Sequence, residues 1–157
     1  MGAEVEETTE SKQLAKARLD VDSSLQKIKS WRKSDVRLVL SMARPPKQLL
    51  LTLEAMCVLL GIENNTWKAV RAEMQHFTEF QNRFASFDRD SISPRTVEGL
   101  KPYVERGEKM IAVDDGKYST GLKVHEELGK WVHAVYAYHF ALMNSEDHQR
   151  AGFEELR

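Results

Sequence analysis

In the stretch LAKARLDVDSSLQKIKSW at residues 14–31, the side chains of Leu14, Ala17, Val21, Ser24, Ile28 and Trp31 fall at alternating three- and four-residue intervals. On a helix of 3.6 residues per turn that spacing draws them into one stripe, the seam of a coiled coil. The same spacing returns near the other end in Val124, Leu128, Trp131, Val135, Tyr138 and Leu142, and Ser145, Gln149, Gly152 and Leu156 carry the register on with weaker residues. Two seams flanking a segment with its own apolar pattern predict an antiparallel pair of long helices with a folded unit at the tip. Ser24, Ser145, Gln149 and Gly152 each forfeit roughly 1–3 kcal/mol of the burial a leucine would supply, so the pairing discriminates only weakly between registers.

Between the seams, Arg44-Pro45-Pro46 breaks the helix, because proline lacks an amide donor and restricts the residue before it. A new helix is expected over residues 47–60, apolar nearly all round and therefore central, with Gly61 as its C-terminal cap. Asn65 or Thr66 caps a short helix through Trp67, Val70 and Met74. Phe77, Phe80, Phe84 and Phe87 form the apolar stripe of another, a pattern that signals core. Ser93 followed by Pro94 opens a further helix with Val97, Leu100, Tyr103 and Val104 facing inward, and Pro102 should kink it or shorten it to a turn or two. Residues 106–118 lack periodicity and read as a loop, after which Ser119 or Thr120 begins the last long helix. With strand-like alternation almost absent, the fold class is all-α.

A chain of 157 residues is one domain with a modest core, too small for a multidomain enzyme. Its formal net charge of −1 excludes a polyelectrolyte that seeks nucleic acid, so an electrostatic partner has to be met by a local patch. No run approaches the length of a membrane helix, and the acidic, polar start is unlike a targeting peptide, which reads as an intracellular chain without a membrane partner. Cys57, alone in an apolar run, reads as a reduced core thiol. Gly116-Lys117-Tyr118 is a fragment of a phosphate loop and no more. His125, His133 and His139 are eight and six residues apart and share no helical turn, so no metal pair is expected. Paired acids at Asp88 and Asp90, or Asp114 and Asp115, suit caps and turns. Neither catalytic residues nor a cofactor are expected in this segment.

What remains is a locally basic segment, with Arg32, Lys33, Arg37, Arg44 and Lys47 against Asp35 alone. Arg83, Lys123 and Lys130 join it if the fold brings them to the same side.

Several of these stretches together resemble a known family. Ser41-Met42-Ala43-Arg44-Pro45-Pro46, residues 53–61 from Leu53 to Gly61, and Thr66-Trp67-Lys68 look like the entry and first helices of the dynein heavy-chain microtubule-binding domain. Phe80 to Phe87 followed by Asp88-Arg89-Asp90-Ser91-Ile92-Ser93 is similar to that family's helix and acidic loop, and Lys130-Trp131-Val132 with Tyr136 resembles the start of its returning stalk helix. The resemblance implies a bundle of about six helices at the end of an antiparallel coiled-coil stalk, in which residues 12–43 form the outgoing helix, 44–122 the tip, and 123–157 the last tip helix running into the returning stalk. It also implies a non-catalytic segment of a larger motor ATPase that binds the α/β-tubulin surface of microtubules, with the rest of the heavy chain as its covalent partner and a cytoplasmic, cytoskeletal or ciliary setting.

Carried over by position, the tubulin contacts are Arg44, Lys47, Arg83, Lys123 and Lys130, the hinge is Pro45 and Pro46, and the stalk seam is Leu14, Val21, Ile28 and Trp31 against Trp131, Val135, Tyr138 and Leu142. Leu50 and Thr120 stand where many members carry a basic residue, and Lys47 and Lys123 lie about one turn from those positions. Axonemal members commonly carry an insert where residues 75–78 make a tight connection here, which favours a cytoplasmic-type tip. Glu79, Asp88 and Asp90 are expected to moderate affinity by repelling acidic tubulin. Two other readings compete: a helical adaptor that captures a partner helix through Val135, Tyr138 and Leu142, and a light-chain docking surface at the acidic loop around Asp114 and Asp115.

Overall fold

A computed structural model describes residues 9–105, 109–111 and 122–155, with the side chains of residue 10 and of 146–155 outside that description. Seven helices follow one another among the described residues: α1 (Thr9–Lys29), α2 (Lys33–Leu40), α3 (Lys47–Leu60), α4 (Trp67–Gln75), α5 (Phe77–Ala85), α6 (Pro94–Val104) and α7 (Lys123–Glu155). No strand occurs among them.

The most extensive packing in the molecule is α1 against α7. Trp31, just past the end of α1, packs on Phe84, which packs on Trp131 near the start of α7, while further along Arg89 pairs with Asp22 of α1 and lies over the Tyr138 ring of α7. Rising numbers on one helix meet falling numbers on the other, so the pair is antiparallel. The expected seams close on each other: Ala17, Val21, Ile28, Val124, Leu128, Trp131, Val135 and Tyr138 are buried, and Leu14 and Leu142 are half-buried. Each buried Val, Leu or Ile contributes about 1.5–3 kcal/mol. By length, α7 spans about 50 Å and α1 about 32 Å.

Local punctuation sets most helix ends. Pro46 stands before α3 in an extended conformation, and Gly61 ends it at φ 71°, in the left-handed region that glycine enters without a Cβ clash. The Thr66 hydroxyl accepts the Ala69 amide at 3.3 Å to start α4, and Ser93 accepts the Thr96 amide at 3.2 Å to start α6, with Pro94 in its first turn. Helix α3 is buried on several sides through Leu49, Leu53, Ala55, Met56 and Cys57, as its all-round apolar character requires.

Three expectations change. The outgoing segment 12–43 is two helices with a break at residues 30–32. Asp35 accepts the Arg32 amide at 2.8 Å to start α2, and the Gln81 amide reaches the carbonyls of Ile28, Lys29 and Trp31 at 3.0, 3.3 and 3.1 Å, satisfying acceptors that the end of α1 leaves open. Helix α2 packs on α4 and α7, so it belongs to the tip, and Pro45 and Pro46 lie inside the tip, between α2 and α3. Finally, α6 is not shortened by Pro102 and runs eleven residues to Val104. The proline sits exposed in the last turn, where the missing donor costs a single intrahelical bond, to Glu98. Ser119, Thr120, Gly116, Lys117, Asp114, Asp115 and most of the loop assigned to 106–118 lie outside the described residues. Of that stretch, Ile111 is buried, its amide donating to the Tyr103 carbonyl at 2.8 Å and its carbonyl 2.7 Å from the His133 ring.

Candidate functional site

Helix α2 turns Val36 and Val39 inward and leaves Lys33 and Arg37 exposed one turn apart on the same face. Those two bases, with Leu40, Met74, His76 and Phe77 among the other lining groups, border a groove of about 380 Å³ between α2 and the junction of α4 with α5. His76 is the one residue separating α4 from α5, so the connection is as tight as expected.

Past α2 the chain exposes Arg44 and then Lys47, the first residue of α3, and neither makes an ion pair or side-chain hydrogen bond among the described residues. The Trp67 indole donates to the Met42 carbonyl at 3.2 Å, which fixes this connection against the start of α4. Lys123 at the start of α7 lies 3.8 Å from Asp35, so the only acid in the basic segment 32–47 is shared between capping α2 and holding α7. The structure thereby brings Lys123 to the basic end of α2. Arg83 is directed elsewhere: it pairs with Glu73 at 3.0 Å and joins α5 to α4. Lys130 is half-buried beside Trp131 and is not free.

Asp90 is also engaged, accepting the Tyr138 hydroxyl and so tying the loop to α7, while Asp88 accepts the Asp90 amide at 3.0 Å within the loop. Val135 and Tyr138, the anchors of the adaptor reading, are 0 % and 1 % exposed because the chain's own α1 side covers them. That seam is closed to a partner helix.

The chemistry of the remaining groups is structural. Burial, with Glu54 second, pushes the Cys57 thiol up to about 11 and keeps it protonated, consistent with its place in the core. Burial lowers the pKa of His125 and outweighs the opposing effect of Glu126. Burial, then the hydrogen bond to Glu105, raises the Tyr136 phenol. Among the described residues no group of three or more His, Cys, Asp or Glu could hold a metal ion, and no helix is long and apolar enough to cross a membrane.

Lys33 and Arg37 belong to the basic segment read from sequence but not to the contacts carried over by resemblance, and the sequence reading places them on the outgoing helix rather than on a tip helix. A signal was present: the seam 14, 17, 21, 24, 28, 31 continues to 35 and 38, which are Asp35 and an exposed Leu38, whereas the buried residues are Val36 and Val39. That one-residue change of phase marks the break.

Fold and surface together define a class: a small helical tip carried on an antiparallel helix pair, with a basic rim where the chain enters and leaves it. No family model matches the chain. It is similar to dynein axonemal heavy chain 1 of mouse, 27 % identical over 140 residues, which cover 81 % of this chain and 3 % of the relative, and to its human counterpart, 27 % identical over 143 residues, 83 % and 3 %. It is also similar to a cytoplasmic dynein heavy chain of Caenorhabditis elegans, 35 % identical over 79 residues, 50 % of this chain and 2 % of that one. The chain's homologues are dynein heavy chains, and the part of it they match is all-helical. It spans only a few per cent of the length of the curated relatives it matches. Axonemal and cytoplasmic relatives both match.

Proposed function

We propose that this segment is the reversible microtubule-binding tip of a dynein heavy chain, with affinity set by the relative register of α1 and α7. The observation that carries the reading is the exposed, largely uncompensated basic rim of Lys33, Arg37, Arg44 and Lys47, standing where an antiparallel stalk of dynein-like sequence delivers its helices. Tubulin is acidic, so such a rim attracts it, and individual exposed pairs are worth only about 0–1 kcal/mol, so several act together. Lys123 belongs to the same rim, with Asp35 tempering its charge. Arg83 and Lys130 are secondary contacts in this proposal, since each already has an intramolecular partner. Tip and stalk divide at residues 30–33, and the pair Pro45 and Pro46 orients α3 within the tip. The segment acts without a cofactor of its own, and the parent motor supplies nucleotide hydrolysis.

Co-sedimentation with microtubules across a salt series tests this. Saturable binding that weakens steeply with salt is expected, with about tenfold lower affinity in Arg44→Glu/Lys47→Glu and in Lys33→Glu/Arg37→Glu. Absence of binding at low salt, or binding indifferent to both double reversals, overturns it.

A further inference from the structure

Arg89, in the loop between α5 and α6, reaches out of the tip and grips the stalk. Its guanidinium pairs with the Asp22 carboxylate on α1, lies 3.5 Å from the Arg18 carbonyl one turn earlier, and sits over the Tyr138 ring of α7 at 5.1 Å from the ring centre. The next residue, Asp90, accepts the hydrogen bond of the Tyr138 hydroxyl, so one two-residue unit holds both stalk helices at one level. On the tip side the same loop hangs from α5, which is itself fixed at the stalk junction by Gln81 on the last carbonyls of α1 and by Phe84 edge-on to Trp131 of α7, with Phe87 of the loop adding a second edge contact to that ring.

We infer that Arg89 and Asp90 form a register clamp that selects the described alignment of α1 against α7. The sequence of α1 makes Asp22 the only partner that serves. Displacing α1 by three, four or seven residues in either direction brings Leu19, Leu25, Arg18, Gln26, Ala15 or Lys29 to the position of Asp22, and none is acidic. The device is also directional. Sliding α1 one turn toward the tip puts Arg18 against Arg89, a like-charge contact, whereas sliding it one turn away offers neutral Gln26. A weakly apolar seam cannot choose a register sharply, and a charge-specific contact spanning both helices supplies that choice. Arg89 over the Tyr138 ring, its carboxylate partner Asp22 and the Asp90 acceptor of the Tyr138 hydroxyl thus meet around one phenol in this alignment. The consequence for filament affinity rests on the function proposed above; the assignment of register does not.

Pulsed electron spin resonance on the 157-residue chain tests the clamp, with nitroxide labels at Gln13→Cys and Ala137→Cys in a Cys57→Ala background. Both labelled positions are exposed and staggered along the stalk, so a slide appears as a change in length. Asp22→Arg and Arg89→Asp are each expected to add a second distance population displaced by up to about 5 Å, the rise of one turn, and the double swap Asp22→Arg/Arg89→Asp to restore the single parental population. Single variants of unchanged helicity that keep the parental distribution overturn the clamp, as does a double swap that fails to restore it. Microtubule pelleting of the same variants reports separately: no binding by any of them, parent included, removes the microtubule function and leaves the distance result to decide the clamp.

Discussion

Trp31 shows how much one side chain can matter at the junction of stalk and tip. It is 3 % exposed and packs edge-on to Phe84, yet its indole nitrogen has no acceptor among the described residues. An unsatisfied buried donor costs about 1–3 kcal/mol, which offsets part of what the ring contributes. Trp31→Ala should therefore lower stability by about 3–5 kcal/mol and Trp31→Phe by less than half as much in urea unfolding. Equal losses would show that the nitrogen has a partner after all. His125 is a second residue with a readable signature. Burial holds its pKa below the ordinary value near 6.5, so the unfolded chain takes up the proton first as pH falls. The stability it contributes is full above pH 6.5 and is lost as pH drops through the depressed folded value. The urea midpoint of the parent should fall more between pH 7.5 and pH 5 than that of His125→Gln, and parallel pH slopes would exclude this origin.

At the scale of elements, α5 is the piece that joins everything else. Its nine residues carry two buried phenylalanines into the core, the Gln81 amide to the end of α1, and Arg83 to Glu73 of α4. Gln81→Leu keeps the volume and removes the amide, leaving the carbonyls of Ile28 and Trp31 to water or to nothing. We expect it to cost about 1–2 kcal/mol, with faster amide exchange at the end of α1 before any change in α7. Exchange that accelerates uniformly would mean that Gln81 acts on global stability alone. The short α2 illustrates the opposite dependence. Eight residues are too few to be helical alone, and α2 persists because Val36 and Val39 are buried and Asp35 ties both its own start and that of α7.

For the whole molecule, the antiparallel pair covers the apolar stripe of α7 and sets the shape. Val135 and Tyr138 are buried where α1 lies along α7, the most extensive packing in the molecule, with Arg89 adding cover over the Tyr138 ring. Removing residues 1–29 should expose this stripe and increase self-association in sedimentation velocity relative to the parent, with partial loss of helicity. A truncated chain that stays monomeric and fully helical would show that α7 needs no partner. The same reasoning places the partner-capturing seam of the adaptor reading in the truncated chain rather than in the intact one.

Much of this architecture was legible in the residues, because the signals are local. Pro46 before Lys47, Gly61 at its left-handed turn, Thr66 and Ser93 as caps and the three-four spacing of the two seams each act within a turn or two of chain, and each helix they bound appears in the structure. The expected start of the last helix at Ser119 or Thr120 lies outside the described residues, and α7 is described from Lys123. Within the site, the basic composition of residues 32–47 was plain, while the membership of α2 in the tip was not. The helix break at residues 30–32 is completed by Gln81, some fifty residues away, and the grip of Arg89 on Asp22 spans 67 residues. Sequence by itself determined which segments are helical and which faces are apolar, since caps and periodicity are written in neighbouring residues. Only the tertiary structure decided where the stalk ends, which bases stand free and which single acid on α1 meets the tip, because those depend on contacts between residues that no local spacing relates.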